Sequence, residues 1–318
     1  GRLIPDLNDT LDKVKVDTVS LPIAIGLLAM MYPVLAKVRY RGISAELGDR
    51  RTMGLSLVLN WVVGPALMFT LAWVFLGDLP ELRTGLIIVG LARCIAMVLI
   101  WNDLACGNSE LGAVLVAVNS VFQIVMYTVL GWFYLDLLPG WLGLETQSLD
   151  VGMWPIAKSV LIFLGIPLVA GFLTRTILEA GKGTDWYEHS FLPRIGPIAL
   201  YGLLFTIVVL FSLQGDQILD RPLDVARVAV PLLIYFTLMW FGSFGAGYRL
   251  GLPYDRNTSV AFTAAGNNFE LGIAVAIAVF GVTSGQALAG TIGPLIEVPV
   301  LVGLVYVALW AKRRWYGG

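Results

Sequence analysis

The chain has little charge, almost no histidine and almost no cysteine. Of 318 residues, 14% are charged and 58% apolar, and the mean hydropathy is +0.81. A soluble domain carries roughly a quarter charged and about half apolar residues, so the apolar surplus belongs in lipid. One histidine, His189, excludes a histidine-based metal site; two cysteines, Cys94 and Cys106, exclude a disulfide framework and a thiolate cage. The net charge is −1 and basic residues run only in short loop stretches, which excludes an electrostatic footprint for nucleic acid. No Gly-x-x-x-x-Gly-Lys-Ser/Thr loop occurs, so the chain does not itself hydrolyse ATP. The start, Gly1 to Ser20, has no basic stretch leading into an apolar core and reads as a polar loop rather than a signal peptide.

What is present is apolar helix. A bilayer core of about 30 Å takes around 20 apolar residues, and nine segments qualify: 19–38, 52–76, 84–104, 111–134, 155–174, 196–213, 228–247, 258–281 and 286–311. The linkers are too short for separate domains, so residues 1–318 read as a single all-α polytopic membrane domain. Basic residues fall two spans apart. Lys37, Arg39, Arg41, Arg50 and Arg51 share one loop, Arg175, Lys182 and Arg194 another, Arg249 and Arg256 a third, and Lys312, Arg313 and Arg314 close the chain. The positive-inside rule makes these sides, and the C-terminus, cytoplasmic. Asp78 and Glu81, then Asp136, Glu145 and Asp150, then Asp216, Asp220 and Asp224, then the Gly281 to Gly285 turn, face outward.

Sliding the chain on itself by about 175 residues pairs four spans with four: 19–38 with 196–213, 52–76 with 228–247, 84–104 with 258–281, and 111–134 with 286–311. Five crossings separate partners, so they run in opposite directions, the inverted repeat of many secondary transporters. Repeat 1 covers about 1–134 and repeat 2 about 155–311. The span 155–174 would pair with a helix before residue 1, which predicts ten spans in the intact protein and nine here.

In transporters of this build, substrates bind near the midplane where helices are interrupted. The paired spans 84–104 and 258–281 carry the polar residues at depth: Arg93 and Cys94 in one, Asn267, Asn268 and Glu270 in the other. At an offset of 176, Cys94 lands on Glu270. An ionisable group in the bilayer costs about 2.5 to 3.5 kcal/mol, so Arg93 and Glu270 face a wet cavity or a partner. Glu270 serves transport, or else neutralises Arg93 or caps a helix break. Cys94 is a small buried hydrophobe, or a thiolate favoured by Arg93 that suits a soft, thiophilic solute. Asn267 and Asn268 coordinate a solute or satisfy broken backbone. Glu297, near Pro299, faces the protein interior. Asn60, Asn119 and Gln123 bridge helices. Gly285, Ala289 and Gly293 form a small-residue stripe for close packing. Trp101, Trp132, Trp141, Trp310 and Trp315 read as interfacial anchors. No catalytic dyad or metal set sits at depth, so an enzyme is not expected.

The stretch from Gly90 through Arg93 and Cys94 to Leu104, with Ala264 to Glu270 and Gly293 to Gly303, resembles the arsenical-resistance-3 arsenite efflux permeases of the bile acid/sodium symporter superfamily. The likeness runs over essentially the whole chain. It implies two five-helix inverted repeats arranged as a panel and a core with crossed broken helices, and a multi-pass plasma-membrane location. It makes Cys94 and Glu270 the essential cysteine and glutamate, with Cys94 meeting metal only as the transported metalloid. It further implies export of arsenite, sometimes antimonite, by exchange with protons, with no cofactor and no need of a separate ATPase. A sodium-coupled symporter of an organic anion, with Asn267, Asn268 and Glu270 around sodium, is the alternative.

Overall fold

The computed structural model describes residues 15–16, 19–38, 49–95, 97–144, 153–220 and 222–317. Arg39, Arg41, Glu145, Asp150 and most of the polar start lie outside the described residues. A two-residue ladder, β1 (Lys15–Val16) on β2 (Val19–Ser20), leads into helices. These are α1 (Leu21–Ala36), α2 (Arg50–Leu76), α3 (Pro80–Leu91), α4 (Met97–Leu104), α5 (Ser109–Trp141), α6 (Trp154–Lys182), α7 (Leu192–Asp220), α8 (Pro222–Arg249), α9 (Tyr254–Ala265), α10 (Phe269–Phe280) and α11 (Gly285–Trp315).

Helices α2, α5, α6, α8 and α11 are each long and apolar enough to cross a bilayer, and α1 and α10 are shorter apolar helices. Proline shapes several of them. Four π-helical turns, Leu59–Val63, Phe133–Leu137, Leu161–Gly165 and Tyr187–Phe191, each end two residues before a proline: Pro65, Pro139, Pro167 and Pro193. Proline has no N–H to donate and its ring crowds the carbonyl four residues back. Widening the preceding turn by one residue relieves both problems without ending the helix.

The helices outrun the apolar blocks of the sequence. The expected span 155–174 continues to Lys182, so Arg175 and Lys182 are helical rather than in a loop, and Arg194 lies in α7. Arg175 is buried there, pairing with Glu179 at 2.8 Å and Glu188 at 2.9 Å, and donating to the Lys37 carbonyl at 2.9 Å. Paired charges thus extend a helix that hydropathy alone would stop. Asp216 and Asp220 likewise fall in α7. The spans expected at 84–104 and 258–281 begin four residues earlier, because Pro80 occupies the first helical turn of α3 and Pro253 caps α9. Each is then split in two. Trp101 is buried at 4% exposure and so is no interfacial anchor, whereas Trp132, Trp141, Trp310 and Trp315 are exposed.

Two groups of helices result. Helix α1 packs along α6 and α7, while α2, α3, α5, α8, α9, α10 and α11 pack on one another; the first turns of α6 touch α5 and α10. Small residues permit the closest approaches. A Cβ on Gly85 would come within 2.5 Å of the Gln286 carbonyl and 2.9 Å of the Ala289 Cβ, and one on Gly285 within 2.6 Å of the Glu81 carboxylate. Outward faces stay apolar, with Val62, Val74, Val125, Ile177 and Tyr306 all exposed, as a lipid-facing surface requires.

Ion pairs tie the long helices to the short ones at both ends. Asp49 caps α2 through Thr52 and pairs with Arg256 of α9 at 2.9 Å. At the other end Arg227 of α8 pairs with Asp78, beyond the end of α2, and donates to the Phe75 carbonyl at 3.0 Å. The hydrogen bonds from Arg227 hold the Asp78 carboxyl down at about 2. A lowered folded-state value means the pair stabilises above the ordinary carboxylate range and is lost as pH falls through the folded value. Because Asp78 is 67% exposed the effect is small. Thermal unfolding of wild type and Asp78→Asn should therefore differ by a constant small margin from roughly pH 5 to 8, closing between about pH 4 and 2.

Candidate functional site

The site is built where two helices stop inside the protein. Helix α3 ends at Leu91 with Ala92 extended, and α9 ends at Ala265 with Gly266 extended. The two extended stretches cross as an antiparallel bridge centred on Arg93 and Asn267. The Cys94 N–H donates to the Gly266 carbonyl at 3.3 Å, and the Asn268 N–H to the Ala92 carbonyl at 3.0 Å. The N–H groups of the central residues are taken by side chains: Arg93 donates to Gln123 Oε1 at 2.9 Å and Asn267 to Glu297 Oε1 at 3.2 Å. Asn268 then caps α10 by accepting from the Leu271 N–H at 3.0 Å. A break away from water is tolerated only with such partners.

Arg93 is fully buried. Its Nη1 donates to the Tyr235 hydroxyl at 2.8 Å, while Nε and Nη2 have no hydrogen-bond partner among the described residues. Gly64 makes room for it, since a Cβ there would sit 2.6 Å from that Nη1 and 3.1 Å from the Tyr235 oxygen. Cys94 is 2% exposed and lies on the other face of the bridge. A Cβ on Gly266 would come within 3.0 Å of the Cys94 Cβ, 3.5 Å of its Sγ and 3.2 Å of Glu297 Oε1. Thiol and carboxylate thus share one glycine as their floor. Glu297 is 4% exposed and lies within electrostatic reach of both Glu270 and Arg93.

Glu270 stands in the first turn of α10, where backbone N–H groups favour a negative charge. It is half-buried and lines a cavity of about 450 Å³ between α1 and α7 on one side and residues 95–103 on the other. Exposed Lys37 and Asp103 line the same cavity. Cys94 does not line it. Among the described residues no cluster of three or more His, Cys, Asp or Glu side chains gathers.

The structure therefore brings Arg93, Cys94, Asn267, Asn268 and Glu297 to one crossing, with Glu270 one helical turn beyond it. The bridge is antiparallel, so Cys94 lies opposite Gly266 and Asn268 opposite Ala92, with Glu270 beyond the pairing. Asn119 bridges to Asn60 at 3.5 Å, while Gln123 reaches the broken backbone itself. Tyr235, the partner of Arg93, had no mark in the sequence beyond its place in an apolar span. Cys106 is exposed beyond the end of α4 in a left-handed conformation (φ 54°), and His189 sits exposed in a π-turn against Asp185 rather than in an irregular loop.

Comparison with known proteins decides the family. The Sodium Bile acid symporter family matches residues 24–221. The arsenical-resistance protein Acr3 of Corynebacterium glutamicum is 62% identical over 98% of this chain and 84% of its own length. Acr3 of Alkaliphilus metalliredigens is 32% identical over 99% and 88%, and an uncharacterized transporter of Synechocystis sp. 37% identical over 98% and 85%. The chain belongs to the Acr3 family of the bile acid/sodium symporter superfamily. It is a multi-pass membrane transporter rather than an enzyme, and the crossing holds buried Arg93 and Glu297.

Two outcomes test this geometry. In detergent-solubilised protein, N-ethylmaleimide should modify exposed Cys106 at least about tenfold faster than buried Cys94, as read by peptide mass spectrometry over time. Gly64→Ala, which forces a methyl against Arg93, should lower unfolding stability by about 1–3 kcal/mol, whereas Gly303→Ala, with open space around it, should not.

Proposed function

We propose that this transporter exports arsenite from the cytoplasm in exchange for protons, and that the substrate passes the crossing of the two broken helices. The observation that carries the reading is the seating of Cys94 and Glu297 on Gly266, with a cavity from Lys37 and Asp103 down to Glu270. The arsenical-resistance names of two relatives supply the substrate class, and antimonite, with the same thiophilic chemistry, is the natural second cargo.

Helices α3 and α9 begin 174 residues apart, as do the paired centres of the bridge, which supports two inverted repeats. Helices α1, α6 and α7 then form the panel and the remaining helices the core, within a ten-span protein whose C-terminus is cytoplasmic. The positive-inside rule puts Lys37 on the cytoplasmic side, so the cavity leads inward from the cytoplasm. The first turns of α6, packed on α5 and α10, close the opposite side.

Arsenous acid enters uncharged, which avoids the cost of carrying an ion into the protein. At Cys94 the thiol displaces one hydroxyl: an S–As bond forms, an As–O bond breaks, and the thiol proton leaves with the hydroxide as water. One thiolate bond is reversible, so water restores arsenous acid and thiol on the outer side. Because Cys94 lies off the cavity, reaching it requires the core to shift against the panel, which is the alternating-access step. Glu270 takes up a proton from outside and returns it to the cytoplasm, while Arg93 and Asn268 orient the hydroxyls.

The family's sodium-symporter description supports one rival, sodium-coupled import of an organic anion. Everted vesicles separate the two. Wild type should accumulate arsenite when the lumen is acidified, and Cys94→Ala and Glu270→Gln at equal protein should fall to the level of empty vesicles. Uptake indifferent to a pH gradient at clamped voltage removes the proton step; sodium-dependent anion uptake without arsenite uptake favours the rival.

A further inference from the structure

Two side chains do the same job at the crossing, and only one of them is charged. The Arg93 N–H is taken by Gln123 Oε1 and the Asn267 N–H by Glu297 Oε1, and in both cases the acceptor lies 30 residues further along the chain. Gln123 comes from α5 and Glu297 from α11, the helices that follow the two broken pairs. Both side chains are buried, Gln123 completely and Glu297 at 4% exposure.

We propose that Gln123 is a positioning residue for transport: as the neutral counterpart of Glu297, it holds the Arg93 backbone and thereby sets Cys94 against Gly266. The inference rests on the reading that the crossing is the transport site. Three observations carry it. An extended residue inside the protein needs an acceptor for its N–H, and the helix ladder that would supply one has ended at Leu91. The next residue is Cys94, so a shift of the Arg93 peptide moves the thiol directly. The Gln123 Nε2 donor, like Arg93 Nε and Nη2 and the Asn268 Nδ2, is buried with no hydrogen-bond partner among the described residues. An amide here accepts from the backbone and keeps donors for an oxygen-bearing solute.

Arsenite uptake into everted vesicles tests the proposal with Gln123→Leu, which removes the acceptor, and Gln123→Glu, which keeps it. Per folded protein, Gln123→Leu should lower Vmax at least about tenfold with KM little changed, while Gln123→Glu should stay within about threefold of wild type. Gln123→Leu should also speed alkylation of Cys94, read by peptide mass spectrometry, with the Cys106 rate and the unfolding temperature unchanged, which separates a local shift from general loosening. Gln123→Leu active as wild type, or Gln123→Glu as impaired as Gln123→Leu, overturns the inference. Should Gln123→Leu not fold, Gln123→Glu decides alone: near-wild-type Vmax supports the role and its loss removes it. Wild type that moves no arsenite defeats the proposed function instead, and the alkylation rates still judge Gln123.

Discussion

A peptide N–H or carbonyl left without a partner away from water costs several kcal/mol, and two helices of this protein stop where water is scarce. Everything near the centre follows from how those orphaned groups are satisfied. Each broken stretch uses the other, through the bonds from Cys94 to Gly266 and from Asn268 to Ala92. The two N–H groups left at the middle turn to Gln123 and Glu297. Helices α5 and α11 are thereby fixed against the breaks. The same bonds bring a thiol and a carboxylate together around Gly266, where a Cβ would not fit comfortably, while the Arg93 guanidinium lies beside Gly64.

The two halves of the crossing are alike in shape and unlike in charge. The first contributes Arg93 and a neutral amide, the second a neutral Asn267 and two carboxylates, Glu270 and Glu297. Charge is therefore separated across the bridge instead of balanced within each half. Buried Arg93 within electrostatic reach of Glu297 makes the centre sensitive to whether a solute brings charge of its own.

Much of this was legible in the sequence because membrane proteins write their constraints in composition. Hydropathy marked the spans, and the cost of burying charge singled out Arg93, Glu270 and Glu297. What hydropathy does not carry is tertiary partnership. Arg175 looked like a loop residue because its pairing partners, Glu179 and Glu188, count only as further charge. Nor does hydropathy carry how the two breaks meet: the antiparallel crossing that sets Cys94 opposite Gly266 leaves no periodicity in the sequence. Gln123 and Tyr235 were missed as site residues because an amide or a phenol in an apolar span costs little and signals little. The shared spacing of 30 residues from Arg93 to Gln123 and from Asn267 to Glu297 was the available clue.

The π-turns ahead of Pro65, Pro139, Pro167 and Pro193 bear on how such a chain can drift in evolution. Each carries one residue more than a regular turn, and one residue is about 100° of rotation in a helix. Losing a residue from a regular turn would swing the whole downstream segment by that angle and turn lipid-facing side chains inward, whereas losing one from a π-turn restores a regular turn and leaves the downstream faces in place. The π-turns are thus the points at which these helices can change length by one residue without changing which faces meet lipid.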